Sequence, residues 1–375
     1  MRIAVVGGSN TVVNRGYLYF LKNSCQREEG DFDIRYDLST GNTTCGYGIL
    51  QLLKSNALKS VDTLIIEYAL NDEFIYSPSE ILMRRWSRTY EALIRFALRE
   101  NPKIEILSII FDTRQGPFRD RVPRIASSIY YISEWYGVNY IDINANLSKK
   151  YGKSFLDEPF YMPGDSAHYS PPLATAMIAN LVSEKLYLMK SSVNLLRPYP
   201  LPDPIDPLNY SNSSFMSVEQ ISDRTGAAPL NYSNWRFSTQ AVNIGGRSLC
   251  FRIEGGIMLG IEYVCESNTI PIIIERNGIS YIVSTMKHGV KAGEYKFLTS
   301  YITCEFLNGD LAQDSANETV YVLRFGDPIG EIIKYTPRDG FEEYSHNPVT
   351  ESLFPIVSIH YTGNIIEFTD TDAGQ

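Results

Sequence analysis

The 375-residue chain lacks a surplus of positive charge: 34 Lys and Arg stand against 43 Asp and Glu, a net charge of −9. A polyanion-binding protein carries a basic excess or stripe, so nucleic acid is not expected as a partner. Cysteine is sparse and scattered. Cys25, Cys45, Cys250, Cys265 and Cys304 form no CxxC or Cys/His cluster, which argues against a zinc motif and for reduced thiols packed as small core residues. No apolar run approaches the length of a membrane span. The first strand signal begins at residue 2, leaving no room for the basic and apolar segments of a secretory leader. The expectation is a soluble, cytoplasmic protein. Neither a Walker loop nor a metal motif is present, and Gly7-Gly8-Ser9 lacks the third glycine and the ribose carboxylate of a dinucleotide fingerprint. No cofactor and no metal are expected.

What is present is ordinary globular material, 44% hydrophobic and 21% charged, long enough to favour two domains. Residues 1 to about 195 alternate strand and helix signals. Strands are expected at Ile3–Val6, Asp33–Leu38, Thr63–Tyr68, Ile104–Phe111 and Val138–Asp142, with helices around Tyr47–Ser60, Ser79–Glu100, Arg121–Tyr136 and Pro172–Lys190. Short apolar strands separated by helices imply a parallel sheet covered on both faces, a doubly wound α/β domain. Residues 196–212 hold a proline-rich run, Arg197 to Pro207, that reads as a stiff connector. Beyond it, residues 213–375 read as short β segments with hairpin signals at Asn277-Gly278 and Thr362-Gly363-Asn364. An all-β sandwich or jelly roll fits that pattern.

Four segments of the first half carry complementary chemistry. Gly7-Gly8-Ser9-Asn10-Thr11 follows the first strand, Ser39-Thr40-Gly41-Asn42-Thr43-Thr44 the second, and Glu67-Tyr68-Ala69-Leu70-Asn71-Asp72 the third. Gly164-Asp165-Ser166-Ala167-His168 precedes the last helix. Loops after parallel strands converge at one sheet edge, so these segments can meet. A serine hydroxyl becomes a nucleophile when a base takes its proton. Ser9 is the candidate nucleophile. His168, the only histidine of the first half, is the candidate base, and Asp165 the carboxylate that would fix its ring. The N–H groups of Ser9 and Gly41 and the amide of Asn71 could serve a developing oxyanion. A glycine at 41 would let the chain turn without a side chain in the way. Ser170 with Pro171-Pro172 reads as a cap and first turn of the helix after His168. Each residue also has a plainer use. Gly-Gly-Ser and Thr-Gly-Asn are ordinary turns, and Asn71-Asp72 could cap a helix. Asp112-Thr113-Arg114, Glu73, Tyr76 and Trp86 could border a pocket, with surface charge as the plainer alternative.

In order and approximate spacing the four segments resemble the four blocks of the SGNH (GDSL-type) hydrolases. The resemblance covers residues 1 to about 190. It implies a flavodoxin-like three-layer fold, a Ser9–His168–Asp165 triad, and an oxyanion hole of Ser9, Gly41 and Asn71. Two departures stand out. The family's Gly-Asp-Ser is Gly7-Gly8-Ser9, without the aspartate that commonly braces the site, and its Gly-x-Asn-Asp is Ala69-Leu70-Asn71-Asp72. The Glu-Tyr-Ala-Leu-Asn-Asp version resembles members acting on polysaccharides and their precursors.

The reading at this point is an esterase or deacetylase acting on O-acylated carbohydrate through a seryl ester. Two alternatives stay open: an O-acyltransferase that modifies a saccharide or polysaccharide precursor, and an inactive carbohydrate-binding or assembly protein. An acylated carbohydrate or polysaccharide intermediate is the expected partner. The β region could bind substrate, close the pocket or join copies into a homo-oligomer.

Overall fold

The computed structural model describes residues 1–25, 32–113, 123–156, 158–191, 200–234, 237–308, 318–325, 330–335 and 353–372. The chain divides into two compact units, Met1–Ser211 and Asn212–Gln375.

In the first unit the strands are β1 (Arg2–Gly7), β2 (Asp33–Asp37), β3 (Thr63–Glu67), β4 (Glu105–Ile110) and β5 (Asn139–Asp142). They form one parallel sheet in the order β2-β1-β3-β4-β5. The helices are α1 (Ser9–Val12), α2 (Tyr17–Cys25), α3 (Cys45–Ser55), α4 (Ala69–Tyr76), α5 (Glu80–Glu100), α6 (Arg124–Tyr136), α7 (Ile143–Tyr151) and α8 (Leu173–Ser191). All of β3, and all of β1 and β4 but their first residues, are buried. That continuous apolar pattern belongs to strands covered on both faces. One covering cluster joins Ile3, Val5, Leu107 and Ile109 of the sheet to Tyr17, Leu18 and Leu21 of α2 and Ile178, Val182 and Leu186 of α8.

The strand order reverses direction at β1 and β3. An open α/β sheet splays its loops apart at such a switch point, leaving a crevice at the carboxyl ends of the strands. The segments carrying Ser9 and Asn71 leave β1 and β3, the two strands that flank it.

The proline-rich stretch is less free than a connector needs to be. Residues 192–199, including Arg197 to Tyr199, lie outside the described residues. The remainder packs along α5 and α6 of the first unit. Arg88 Nε meets Asp206 Oδ2 at 2.8 Å with the guanidinium side chain 1% exposed. Glu91 accepts the N–H groups of Ile205 at 2.5 Å and Asp206 at 3.1 Å. Arg95 donates to the carbonyl of Pro202 and Trp135 to that of Asp203. Proline lacks an N–H but keeps a carbonyl acceptor, so a segment that cannot join a sheet can still be held by side-chain donors.

The second unit contains two six-stranded sheets. One runs Phe297–Thr303, Met258–Glu266, Pro355–Tyr361, Ser238–Asn243, Leu230–Ser233, with Ser214–Met216 also paired to Pro355–Tyr361. The other runs Glu331–Tyr335, Ile279–Val283, Ile272–Arg276, Glu318–Arg324, Arg247–Glu254, Asn364–Asp372. Pairing is antiparallel except between Ile279–Val283 and Glu331–Tyr335. A single apolar cluster draws on both sheets, including Val242, Ile261 and Ile302 from one and Leu249, Ile274 and Leu323 from the other. The β-rich expectation is therefore met, with short helical segments added, among them the single turn His288–Lys291. Val218–Thr225 is helical, capped by a reciprocal Ser217–Gln220 box and ended by Gly226 in the left-handed region.

Among the described residues no helix is long and apolar enough to cross a membrane. Among the described residues Cys45, Cys250, Cys265 and Cys304 form no disulfide.

Candidate functional site

The turn after β1 is set by its glycines. A Cβ on Gly7 would lie 2.4 Å from Thr11 Oγ1 and 3.2 Å from Glu67 Cβ, too close for either to accommodate easily. Gly8 is extended and caps α1, a single helical turn with Ser9 at its first position. The Gly8 N–H donates to the Glu67 carbonyl at 2.8 Å and faces Glu67 Oε2 at 3.2 Å. Thr11 donates to the same Oε2 at 2.8 Å, and its oxygen lies 3.1 Å from the Tyr17 hydroxyl. Burial pushes the Glu67 carboxyl up to about 8, against the bonds from Thr11 and Gly8 that favour its charge. Ser9 is partly exposed, whereas Asn10 and Thr11 behind it are buried.

Gly41 and Asn71 approach this turn from the two neighbouring strands. The Thr40 N–H donates to the Gly7 carbonyl at 3.0 Å, bringing the loop after β2 beside the end of β1. A Cβ on Gly41 would sit 3.9 Å from Ser9 Cα and 4.0 Å from Ser9 Cβ. These are ordinary contact distances, and the backbone residue in the left-handed region is Asn42, at φ 57°. The turn chemistry thus belongs to Asn42, which tolerates that region through its short polar side chain. Gly41 contributes the absence of a methyl group facing Ser9. Asn71 lies in α4, 1% exposed, and its amide donates to the Thr43 carbonyl at 2.9 Å. The same nitrogen would be 2.2 Å from a Cβ on Gly8. Its NH₂ has a second hydrogen to give. Next to it, Asp72 accepts the Cys45 N–H at 3.3 Å and the Trp86 indole at 2.8 Å, fastening α3 and α5 to α4.

The fourth segment is held at both ends. Tyr161 and Tyr169 pair across the loop, and the Met162 N–H donates to the His168 carbonyl at 2.9 Å. The Tyr161 hydroxyl donates to the Asp112 carbonyl at 3.0 Å, and the Tyr169 hydroxyl donates to Asn144 at 2.7 Å. Within the loop, Asp165 Oδ1 accepts the N–H groups of Ala167 at 2.7 Å and His168 at 3.1 Å. Its Oδ2 stands 2.5 Å from His168 Nδ1. Burial works against the Asp165 charge, but the Ala167 amide and the His168 ring together carry its carboxyl below the usual value. A carboxylate at Nδ1 requires the proton there, which leaves Nε2 as the acceptor of a neutral ring. The Asn10 amide donates to the Ala167 carbonyl at 3.0 Å. The residue after Ser9 is therefore tied to the residue before His168.

Five sequence-predicted residues thus fall in one region. Ser9 and Gly41 are in near contact, Asn71 abuts Gly8, Asp165 pairs with His168, and Asn10 joins the last pair to the first group. The helix after His168 begins at Leu173, following a cis Pro171–Pro172 bond. Ser170 and Pro171 stay outside it because a residue before proline disfavours the helical region. The Ser170 carbonyl still accepts the Ala174 N–H at 3.1 Å.

The remaining candidates have other duties. Glu73 accepts the N–H groups of Arg124 and Ile125 at the start of α6, Tyr76 is fully buried, and Trp86 is spent on Asp72. Thr113 is buried and its N–H donates to Asp112; burial raises the Asp112 carboxyl to about 6. Arg114 lies outside the described residues. The brace at Glu67 was not foreseen. Its only sequence signal was a charged residue at the end of an otherwise apolar strand. Among the described residues no group of three or more His, Cys, Asp or Glu could hold a metal ion.

No family model and no curated protein sequence matches the chain. Its architecture is nevertheless shared with solved structures. A two-domain esterase active on acetylated mannans, co-crystallised with mannopentaose, superposes at a TM-score of 0.64 with 16% identity. That match covers 97% of this chain and 90% of the other. A second structure of a two-domain esterase active on acetylated mannans gives 0.60 and 16%, covering 97% and 91%. A shorter match, to an acetyl xylan esterase, has a TM-score of 0.41 and 14% identity and covers 49% of this chain and 99% of that one. The first two matches share with this chain its fold over nearly the whole length, which here is a parallel α/β unit followed by a β-rich one.

Proposed function

We propose that this chain is a serine esterase that removes acyl groups from O-acylated carbohydrate. The observation that carries the reading is the Asp165–His168 pair at 2.5 Å, on a loop bonded through Ala167 to the neighbour of Ser9. The fold shared over nearly the whole chain with an esterase active on acetylated mannans supports it.

In this reading His168 Nε2 takes the proton of Ser9 as its oxygen attacks the ester carbonyl. The resulting oxyanion is met by the N–H groups of Ser9 and Gly41 and by the free hydrogen of the Asn71 amide. His168 then gives its proton to the departing sugar oxygen, leaving acyl-Ser9. A water, deprotonated by the same ring, releases the carboxylic acid and restores the serine. Asp165 keeps the ring in the productive tautomer and stabilises the imidazolium.

A fluorophosphonate probe tests the reading with no assumption about substrate. It is expected to label Ser9 in the wild type and not in Ser9→Ala. Acetylated manno-oligosaccharide incubated with the wild type is expected to release acetate. A wild type that neither labels at Ser9 nor releases acetate overturns the proposal. Acetyl movement onto an unacetylated oligosaccharide from a donor, without release of acetate, identifies an acyltransferase instead.

A further inference from the structure

The buried carboxyl of Glu67 has no part in the chemistry above, yet it lies directly beneath the turn that presents Ser9. It ends β3 opposite Gly7 of β1 in register and is 1% exposed. A leucine would fill such a place without the cost of burying a polar group. What the carboxyl adds is one oxygen that accepts on both sides of the serine. Oε2 stands 3.2 Å from the Gly8 nitrogen and 2.8 Å from Thr11 Oγ1.

We infer that Glu67 is the positioning residue of the Ser9 turn, a buried acceptor that replaces from β3 the brace missing at position 8. This rests on Ser9 being the nucleophile proposed above. The direction of each bond follows from the donors available. Gly8 supplies one backbone N–H and can only donate; it is shared between the Glu67 main-chain carbonyl at 2.8 Å and Oε2 at 3.2 Å, so Thr11 is the stronger of the two carboxyl contacts. Thr11 has one hydroxyl proton; given to Glu67, it leaves the Thr11 oxygen to accept from Tyr17 at 3.1 Å. The chain therefore runs from Tyr17 on α2 through Thr11 on α1 to Glu67 on β3. Asp72 on α4 adds a like charge that opposes ionisation of Glu67. A side chain at Gly8 would displace the Asn71 amide, because a Cβ there would fall 2.2 Å from its nitrogen. A carboxyl delivered from the neighbouring strand holds the turn and leaves that amide in place.

The test is the second-order rate of fluorophosphonate labelling at Ser9 in the intact chain. Wild type, Glu67→Gln, Glu67→Ala and Thr11→Val are compared on material whose thermal unfolding is cooperative. Glutamine keeps a carbonyl oxygen where Oε2 sits. Glu67→Gln is expected to label within about 3-fold of wild type, and Glu67→Ala about 30- to 100-fold slower, the scale of a nucleophile displaced by about 1 Å. Thr11→Val removes one of the two donors and is expected to slow labelling about 10-fold. Combined with Glu67→Ala it should add little, because both changes act through one contact.

Labelling of Glu67→Ala at the wild-type rate overturns the inference while leaving Ser9 as nucleophile. Glutamine as slow as alanine overturns it too, since an acceptor at that place would not then be what matters. A wild type that does not label at Ser9 overturns this inference together with the reading it rests on. If Glu67→Ala does not fold, Thr11→Val decides, and a wild-type rate there overturns the inference.

Discussion

One histidine in each unit illustrates how surroundings decide what an imidazole can do. His168 of the first unit has its side chain 29% exposed and its Nδ1 against a carboxylate at 2.5 Å. His360 of the second unit lies within a strand, fully buried, with Nδ1 2.9 Å from the Tyr301 hydroxyl. Burial drives the His360 ring down to about 3, so it stays neutral across the physiological range. The first ring has a partner that welcomes a positive charge and an opening toward solvent. The second has neither advantage, and its place between strands gives a substrate no approach. An isolated histidine in sequence therefore says little. The carboxylate three residues earlier, in a loop tied down by tyrosines, is what separates the two.

The sharpest way to break this comparison is to remove each ring. His168→Ala is expected to lower kcat/KM on acetylated oligosaccharide by at least about 1,000-fold, as is Ser9→Ala, while His360→Asn leaves kcat/KM within about 2-fold. Loss of turnover in a folded His360 variant would erase the distinction. Asn71→Ala should cost about 100-fold in kcat by deleting one oxyanion donor. Gly8→Asp, which restores the residue usual in the resembling family, is expected to cost a similar factor, because the new side chain displaces the same amide. Steady-state kinetics on the two variants checks both, and a Gly8→Asp enzyme as active as wild type would show that Asn71 has another place to go.

The pH dependence of stability opposes the two units' buried groups. Glu67 ionises near 8 in the fold against 4.5 for an ordinary glutamate. Its folded value is raised, so its contribution is complete below about 4.5 and is lost as pH rises through 8. His360 is the reverse case: its value falls from 6.5 to about 3, so stability is lost as pH drops from 6.5 toward 3. Thermal midpoints across pH should show Glu67→Gln with a smaller fall than wild type between pH 4.5 and 8 and His360→Asn with a smaller fall as pH drops from 6.5 toward 3. Unchanged slopes would refute these assignments. The smallest effect is expected at Gly41→Ala, where the added methyl meets Val12 and Ser9 at 3.4 to 4.0 Å; a few-fold fall in kcat is the anticipated result.

Much of the first unit could be read in the sequence because its strands are short and apolar and its helices amphipathic. The five strand expectations lie within about one residue of β1 to β5 at most ends. Besides the single turn Ser9–Val12, the first-unit helices missed were Tyr17–Cys25, Ala69–Tyr76 and Ile143–Tyr151. Two of these start within two residues of a strand, where one apolar run serves both elements and periodicity cannot divide it. In the second unit Ser214–Met216, Leu230–Ser233, Ser238–Asn243 and Glu331–Tyr335 carry little strand signal in the sequence, being short or polar on alternate residues. At the site, the residue types of all four loops were legible. Their cross-links were not: Asn10 to Ala167, Gly8 to Asn71 and Thr11 to Glu67 depend on strand order and register. For the same reason Asn42, rather than Gly41, proved to hold the unusual backbone angle.

The docked proline segment bears on where the first unit can be separated from the rest. Arg88 is almost wholly enclosed and its counter-charge, Asp206, comes from that segment, as do the two N–H donors that meet Glu91. A fragment stopping near residue 195 would keep every candidate catalytic side chain yet strand a cation and a carboxylate inside its own surface. A fragment carried through Ser211 would keep their partners and is the shorter piece expected to stand alone, a difference that limited proteolysis of the two fragments would reveal.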